Sequence, residues 1–152
     1  MDTLELNRIF SIATQRELEA NAFYTKVAKS STNSEVKEVF DQLAKEELGH
    51  FELLEKLKSD PTMPMKISAP KQDFKVAEAT QLPSLDEVSE PKDAIALAMK
   101  KEQQAVEFYR DLADTTQDTE LKDMFQNLAN MELGHKNRLE TVFVDIGYPE
   151  AF

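Results

Sequence analysis

Apolar residues recur at alternating intervals of three and four positions in four long segments of the chain, with charged residues between them. This spacing places the apolar side chains on one face of an α-helix. Proline is absent from the interior of every segment, as a continuous helix requires. The pattern therefore predicts four helices, over about 4–30, 35–58, 91–114 and 119–145.

Polar and proline-containing stretches separate these predicted helices. Residues 30–34 read Ser-Ser-Thr-Asn-Ser and divide the first helix from the second, for which Ser34 is the expected N-cap. Residues 114–118 divide the third helix from the fourth in the same way. The stretch 59–90 contains four of the six prolines, so we expect a linker without helix there.

The second pair of predicted helices repeats the first at an offset of 85 residues. Residues 12–55 and 97–140 are identical at 17 of 44 aligned positions. Each pair carries an apolar stripe that it can bury against the stripe of the other pair. We therefore predict an all-α fold in which two repeated helical hairpins form one four-helix bundle.

The predicted bundle is a single domain over residues 1–152, with its parts in the order helix pair, crossover, helix pair and short tail. A helix of about 25 residues is about 37 Å long, and a linker of about 30 residues can run that whole length. We expect each pair to be antiparallel and a pseudo-twofold axis to lie perpendicular to the bundle. The four parts span residues 4–58, 59–90, 91–145 and 146–152, with Gly147 and Pro149 ending the last helix.

Polar residues interrupt the apolar stripes at mid-height of all four helices. One glutamate stands on the stripe of the first helix and one on that of the third. Two successive stripe positions on the second and fourth helices form a Glu-x-x-His motif. The six residues are Glu17, Glu47, His50, Glu102, Glu132 and His135.

Four carboxylates and two imidazoles on inward faces predict a metal centre. Burying an ionised carboxylate without compensation costs several kcal/mol, whereas two divalent ions would cancel four negative charges. Glu and His three residues apart lie on one helical face, and this oxygen and nitrogen set suits iron or manganese in helix bundles. A single Glu-x-x-His is weak evidence, but both histidines of the chain lie in the repeated motif.

Composition narrows the possible partners. The chain has 18 Lys and Arg against 29 Asp and Glu, for a net charge of -11, which disfavours nucleic acid and anionic membranes. It has no Cys, which excludes disulfides, thiolate metal sites and thiol catalysis. The first residues show no signal-peptide pattern, and no apolar run is long enough to span a bilayer, so we expect a cytoplasmic protein without a membrane partner.

Two further pairs of residues occupy equivalent positions in the two repeats, and each pair allows two interpretations. Tyr24 and Tyr109 are expected to be core aromatics, with a redox role as the alternative. Gly49 and Gly134 are expected to allow close helix approach beside the metals, because a glycine within a helix costs about 1 kcal/mol relative to alanine. Plain inheritance through the duplication is the alternative for the glycines.

The repeats differ just before each Glu-x-x-His motif, where Glu46 in the first corresponds to Met131 in the second. A metal-bound histidine usually donates its second ring N–H to a carboxylate or carbonyl. We expect Glu46 to accept that hydrogen bond from His135, and the alternative is that Glu46 faces solvent.

At these residues the chain resembles the rubrerythrin-like branch of the ferritin-like superfamily, over roughly 5–58 and 92–145. The resemblance implies a ferritin-like bundle with two iron ions per chain, for which Mn or Zn can substitute. It also implies reaction with hydrogen peroxide or dioxygen in protection against oxidative stress. The implied roles are terminal ligands for Glu17 and Glu102, bridging ligands for Glu47 and Glu132, and nitrogen ligands for His50 and His135.

Two departures from the family pattern leave other functions open. Rubrerythrins with a rubredoxin domain bind an iron through four Cys, and this chain has none, so we expect an external electron-donor protein. Ala105 stands where rubrerythrins carry an additional glutamate, and the six remaining ligands look as much like those of bacterioferritin. An iron-storage protein with ferroxidase chemistry and a bundle with a structural metal stay open as alternatives. We expect the protein to form a homodimer.

Overall fold

The computed structural model of the chain divides into two compact units, residues 1–64 and 65–152. All regular secondary structure among the described residues is α-helix, and these residues include no strand. The described residues are 2–61, 63, 65–71, 73–80 and 91–147. Residues 81–90 of the predicted crossover and 148–152 of the predicted tail, with Pro149, lie outside them.

The first unit is a helical hairpin of α1 (Thr3–Ser30) and α2 (Ser34–Ser59). Both helices begin and end within one residue of the predicted bounds. The prediction of Ser34 as the N-cap of α2 is wrong, because Ser34 is already helical. Asn33 is the N-cap, and its side chain accepts hydrogen bonds from the backbone N–H groups of Glu35 at 2.9 Å and Val36 at 3.1 Å.

Aromatic and polar contacts hold α1 against α2. The rings of Tyr24 and Phe40 meet edge to face with centroids 5.5 Å apart. The Asn21 side-chain amide donates to the Ala44 carbonyl at 2.7 Å. The apolar stripe is buried as predicted, with Ala20 partly exposed; its buried members are Phe10, Ala13, Tyr24, Val27, Val36, Phe40, Leu43, Leu54 and Leu57.

The second unit contains a short helix, α3 (Val76–Ala79), followed by a hairpin of α4 (Pro91–Thr115) and α5 (Thr119–Gly147). The bounds of α4 and α5 lie within two residues of the prediction. The Asp118 side chain accepts from the N–H groups of Glu120 and Leu121, as Asn33 does 85 residues earlier. The duplication therefore extends to the hydrogen bonds that begin the second helix of each hairpin.

The prediction that the crossover contains no helix is wrong, because α3 lies within it. Lys75 precedes α3 with φ 54, a left-handed conformation that turns the chain into the helix. α3 contacts both α4 and α5. Earlier in the crossover, the Ile67 N–H donates to Asn127 at 2.5 Å, and Asn130 donates to the Ile67 carbonyl at 2.8 Å. This part of the crossover is thus bound to α5 by side chains that hold its backbone.

The prediction of an all-α chain made of two repeated hairpins is confirmed. The prediction of one domain over residues 1–152 stays a prediction. None of the described helices combines the length and the apolar character needed to cross a membrane.

Candidate metal centre

The first hairpin brings together three of the six predicted ligands, Glu17, Glu47 and His50, which we call the first half-site. His50 Nδ1 lies 3.6 Å from Glu17 Oε2 and 3.6 Å from Glu47 Oε2. The three-residue spacing on α2 puts Glu47 and His50 on one face, and the antiparallel α1 supplies Glu17 opposite them. Two carboxylates and one imidazole thus converge inside a single hairpin.

The second hairpin repeats this arrangement with Glu102, Glu132 and His135, which we call the second half-site. His135 Nδ1 lies 3.6 Å from Glu102 Oε1 across α4 and α5. Glu132 is buried three residues before His135 on α5. The same chemistry therefore appears twice, once in each unit.

The spacing of these donor atoms fits ligands of a metal ion. A separation of 3.6 Å is too long for a hydrogen bond between side chains. Nitrogen and oxygen ligands bind at about 2.1 Å, so two of them on one ion lie about 3.0 to 3.4 Å apart at angles of 90° to 109°. A small inward movement of each side chain would bring both onto one ion. The donor set of each half-site, two carboxylates and an imidazole, therefore fits one divalent metal ion.

Burial differs between the two half-sites at the histidine. The His50 side chain is 14% exposed, whereas the His135 side chain is 4% exposed. All four glutamates are buried, and Glu47 is 1% exposed. The first half-site is thus the more accessible of the two.

A group of charged side chains lies directly after His135, where the crossover meets α5, and its members Lys136 and Glu140 are buried. Lys136 Nζ lies 2.5 Å from Asp73, 3.0 Å from Glu78 and 3.1 Å from Glu140. Glu140 also accepts the backbone N–H of Ala77 at 2.8 Å. We call Asp73, Glu78, Lys136 and Glu140 the crossover clamp.

The clamp shifts the pKa of two of its members. Burial alone would raise the pKa of Asp73, but hydrogen bonds from Lys136 and from the Lys75 backbone outweigh burial and hold that pKa below its usual value. Burial alone would lower the pKa of Lys136, but hydrogen bonds to Asp73, Glu78 and Glu140 raise it above its usual value. Both groups are therefore held in their charged forms at neutral pH.

The crossover clamp is not among the sites predicted from the sequence. Lys136 stands where the first repeat has Phe51, and this break in the repeat was the available signal. Glu140 carried no such signal, because Glu55 is its identical and exposed counterpart.

The structure agrees with the prediction for the two tyrosines but not with the prediction for the two glycines. Tyr24 and Tyr109 are buried in their hairpins, as expected for core aromatics. The close helix approach expected at Gly49 and Gly134 is wrong, because a Cβ added at either would meet no described atom within 4 Å. Inheritance through the duplication remains as the explanation for the glycines. Glu46 is exposed on α2, and its hydrogen bond to His135 stays a prediction.

Comparison with known proteins agrees with the fold. The sequence profile of the Rubrerythrin family matches residues 8–143. The structure of a hypothetical protein from Pyrococcus furiosus is similar with a TM-score of 0.67 and 30% identity, over 93% of this chain and 89% of that one. No curated protein is significantly similar in sequence. The family match covers both hairpins and both half-sites, and the chain therefore belongs to the rubrerythrin family, whose domain is a ferritin-like helical bundle.

Proposed function

We propose that the protein is a di-iron carboxylate oxidoreductase that reduces hydrogen peroxide or dioxygen. In this proposal the two half-sites together hold two iron ions per chain. The observation that carries it is the duplicated half-site, in which buried carboxylates lie 3.6 Å from an imidazole nitrogen in each hairpin. Membership of the rubrerythrin family supports the choice of iron.

Charge supports two divalent ions rather than one. The four buried carboxylates of the two half-sites carry a charge of about -4 when ionised, and two divalent ions balance it while the imidazoles bind neutral. We assign Glu17 and Glu102 as terminal ligands, Glu47 and Glu132 as bridging ligands, and His50 and His135 as nitrogen ligands. Manganese or zinc could occupy the same donor set, since both accept oxygen and nitrogen ligands.

When bound, a pair of iron ions supplies the two electrons that reduce peroxide to water. The residues of the chain hold this chemistry in place and limit the access of water. The buried glutamates fix the ligand geometry in a low-dielectric interior, and Tyr24 and Tyr109 fill the core of their hairpins. Peroxide reduction also consumes two protons, and the more exposed His50 side of the centre is where we place their entry.

The electrons must be replaced after each turnover. The chain has no Cys that could form a rubredoxin-type iron site, so we propose a separate electron-donor protein. The expected cytoplasmic location and the expected homodimer also stay predictions.

Anaerobic loading with ferrous iron, followed by stopped-flow mixing with peroxide or with dioxygen, tests the proposed function. We expect rapid oxidation at two irons per chain, reversed by a reductant over many turnovers. The faster of the two oxidants identifies the substrate. Ala105, which stands in place of the family's additional glutamate, makes this comparison necessary.

Two other outcomes would contradict the proposal. Oxidation followed by mineral growth well beyond two irons per chain would indicate iron storage. Binding without any oxidation would indicate a structural metal. A variant with His50→Ala and His135→Ala is the control, because it removes both nitrogen ligands and keeps the glutamates.

A further inference from the structure

The crossover is attached to α5 on both sides of the second Glu-x-x-His motif. Asn127 and Asn130 hold the Ile67 backbone before the motif begins. Lys136 and Glu140 hold Asp73 and the Ala77 N–H after it ends. The section of α5 that carries Glu132 and His135 is therefore fixed at four positions by one neighbouring segment.

The first half-site lacks this set of attaching residues. The positions 85 residues before Asn127, Asn130, Lys136 and Glu140 are Gln42, Lys45, Phe51 and Glu55. Gln42, Lys45 and Glu55 are exposed and Phe51 is partly buried, whereas Lys136 and Glu140 are 0% exposed. The duplication thus preserves the ligands but not the residues that hold the helix behind them.

From this difference we infer that Lys136 is a positioning residue for the second half-site, acting through the crossover clamp. A helix held in one place loses less conformational freedom when its side chains bind an ion, so the ion is bound more tightly. Coupling is reciprocal, so a metal ion on His135 tightens the attachment of the crossover by the same factor. This inference rests on the proposed metal centre, and it concerns affinity and order rather than the reaction.

Simple electrostatics predicts the opposite effect of removing Lys136. The change Lys136→Met deletes a positive charge beside His135 and leaves three carboxylates, which would favour cation binding. Positioning predicts weaker binding despite that added negative charge. The direction of the change in affinity therefore separates the two explanations.

Titration with Co(II) measures the effect, because bound Co(II) shifts the proton resonances of its histidine ligands. The resonances of His50 and His135 are assigned from the variants His50→Ala and His135→Ala. In Lys136→Met we expect the His135 ion to bind about 5- to 150-fold more weakly, the range typical of coupled sites, with the His50 ion unchanged. Hydrogen exchange of the Ala77 amide should slow on Co(II) loading in the unaltered protein and respond less in the variant.

Two further variants keep the test decisive. Asn130→Ala removes the hydrogen bond to the Ile67 carbonyl without changing any charge, and should weaken the His135 ion in the same direction even if Lys136→Met does not fold. Lys37→Met is the matched control, since Lys37 Nζ donates to the Ala28 carbonyl in the first hairpin and should leave both ions unaffected.

The possible failures can be told apart. The positioning role would be overturned if the His135 ion binds equally or more tightly in Lys136→Met and Asn130→Ala, while the Ala77 amide exchanges faster in these variants than in the unaltered protein. An unaltered protein in which neither histidine resonance shifts with Co(II) would instead contradict the metal centre on which the inference rests.

Discussion

Glu47 carries an ionisable group at a position where its helix faces inward, and it is 1% exposed. An isolated buried carboxylate is costly in any fold, and its counterpart Glu132 is buried in the same way. His50 and His135 supply the adjacent imidazole nitrogens in each hairpin. A cation bound to this combination would stabilise the protein, because binding to the folded state alone favours folding.

The role of Glu47 can be separated from that of its neighbour by substitution. Glu47→Gln should remove most of both metal ions, because a bridging ligand serves both, whereas His50→Ala should weaken mainly one. Glu52→Gln is the matched control, on the same helix and exposed, and should retain full occupancy. Metal analysis after gel filtration measures the content. Equal losses in Glu52→Gln and Glu47→Gln would contradict the assignment.

The glycines before the two histidines offer a stability test. Because a Cβ at Gly49 meets no described atom, Gly49→Ala should stabilise the protein by about 0.5 to 1 kcal/mol through helix propensity. Gly134→Ala should behave alike. Urea denaturation measures the free energy of unfolding, and destabilisation by either change would show that close packing at that glycine matters after all.

At the scale of helices, the caps determine where each second helix begins. Asn33→Ala should destabilise the protein by about 1 kcal/mol, because two N–H groups of α2 lose their acceptor. Ser34→Ala is the control and should have little effect, since Ser34 does not cap the helix. Thermal denaturation of both variants measures the two effects. A larger effect of Ser34→Ala than of Asn33→Ala would indicate that Ser34 caps α2.

The crossover clamp makes the stability of the protein depend on pH. The pKa of Asp73 is lower in the folded than in the unfolded chain, whose value is near 3.8, so its ionised form stabilises the fold above that pH. This contribution is lost as the pH falls from about 3.8 through the lower folded pKa. Asp73→Asn should be less stable at neutral pH, and its stability should change less than that of the unaltered protein over this interval. Parallel pH profiles in urea denaturation would contradict the role of Asp73.

Helix positions were predictable because apolar periodicity and proline placement act locally. The half-site residues were predictable for the same reason, since polar residues interrupt a core stripe at matching places in two repeats. The crossover clamp was not predictable, because Asp73 and Lys136 are 63 residues apart and meet only once the crossover has packed on α5. The N-cap was missed because Asn33 and Ser34 are both good capping residues, and backbone geometry decides between them.

At the scale of the whole chain, the duplication is unequal. Both units keep a hairpin, a cap and a half-site, but only the second unit includes the packed crossover. The ligands are therefore repeated while the surroundings of His50 and His135 differ in exposure, 14% against 4%. A duplicated protein can in this way hold two ions in chemically alike but unequally supported positions.

We propose that both half-sites contribute to one centre with two iron ions, and Mössbauer spectroscopy distinguishes such a centre from isolated ions. The protein is loaded anaerobically with iron-57, oxidised with peroxide, and recorded in weak and strong magnetic fields alongside metal analysis. We expect two irons per chain whose ferric spins are coupled to a diamagnetic ground state, as ions sharing bridging carboxylates would be. One iron per chain, or two irons with the magnetic spectra of isolated ferric ions, would contradict it.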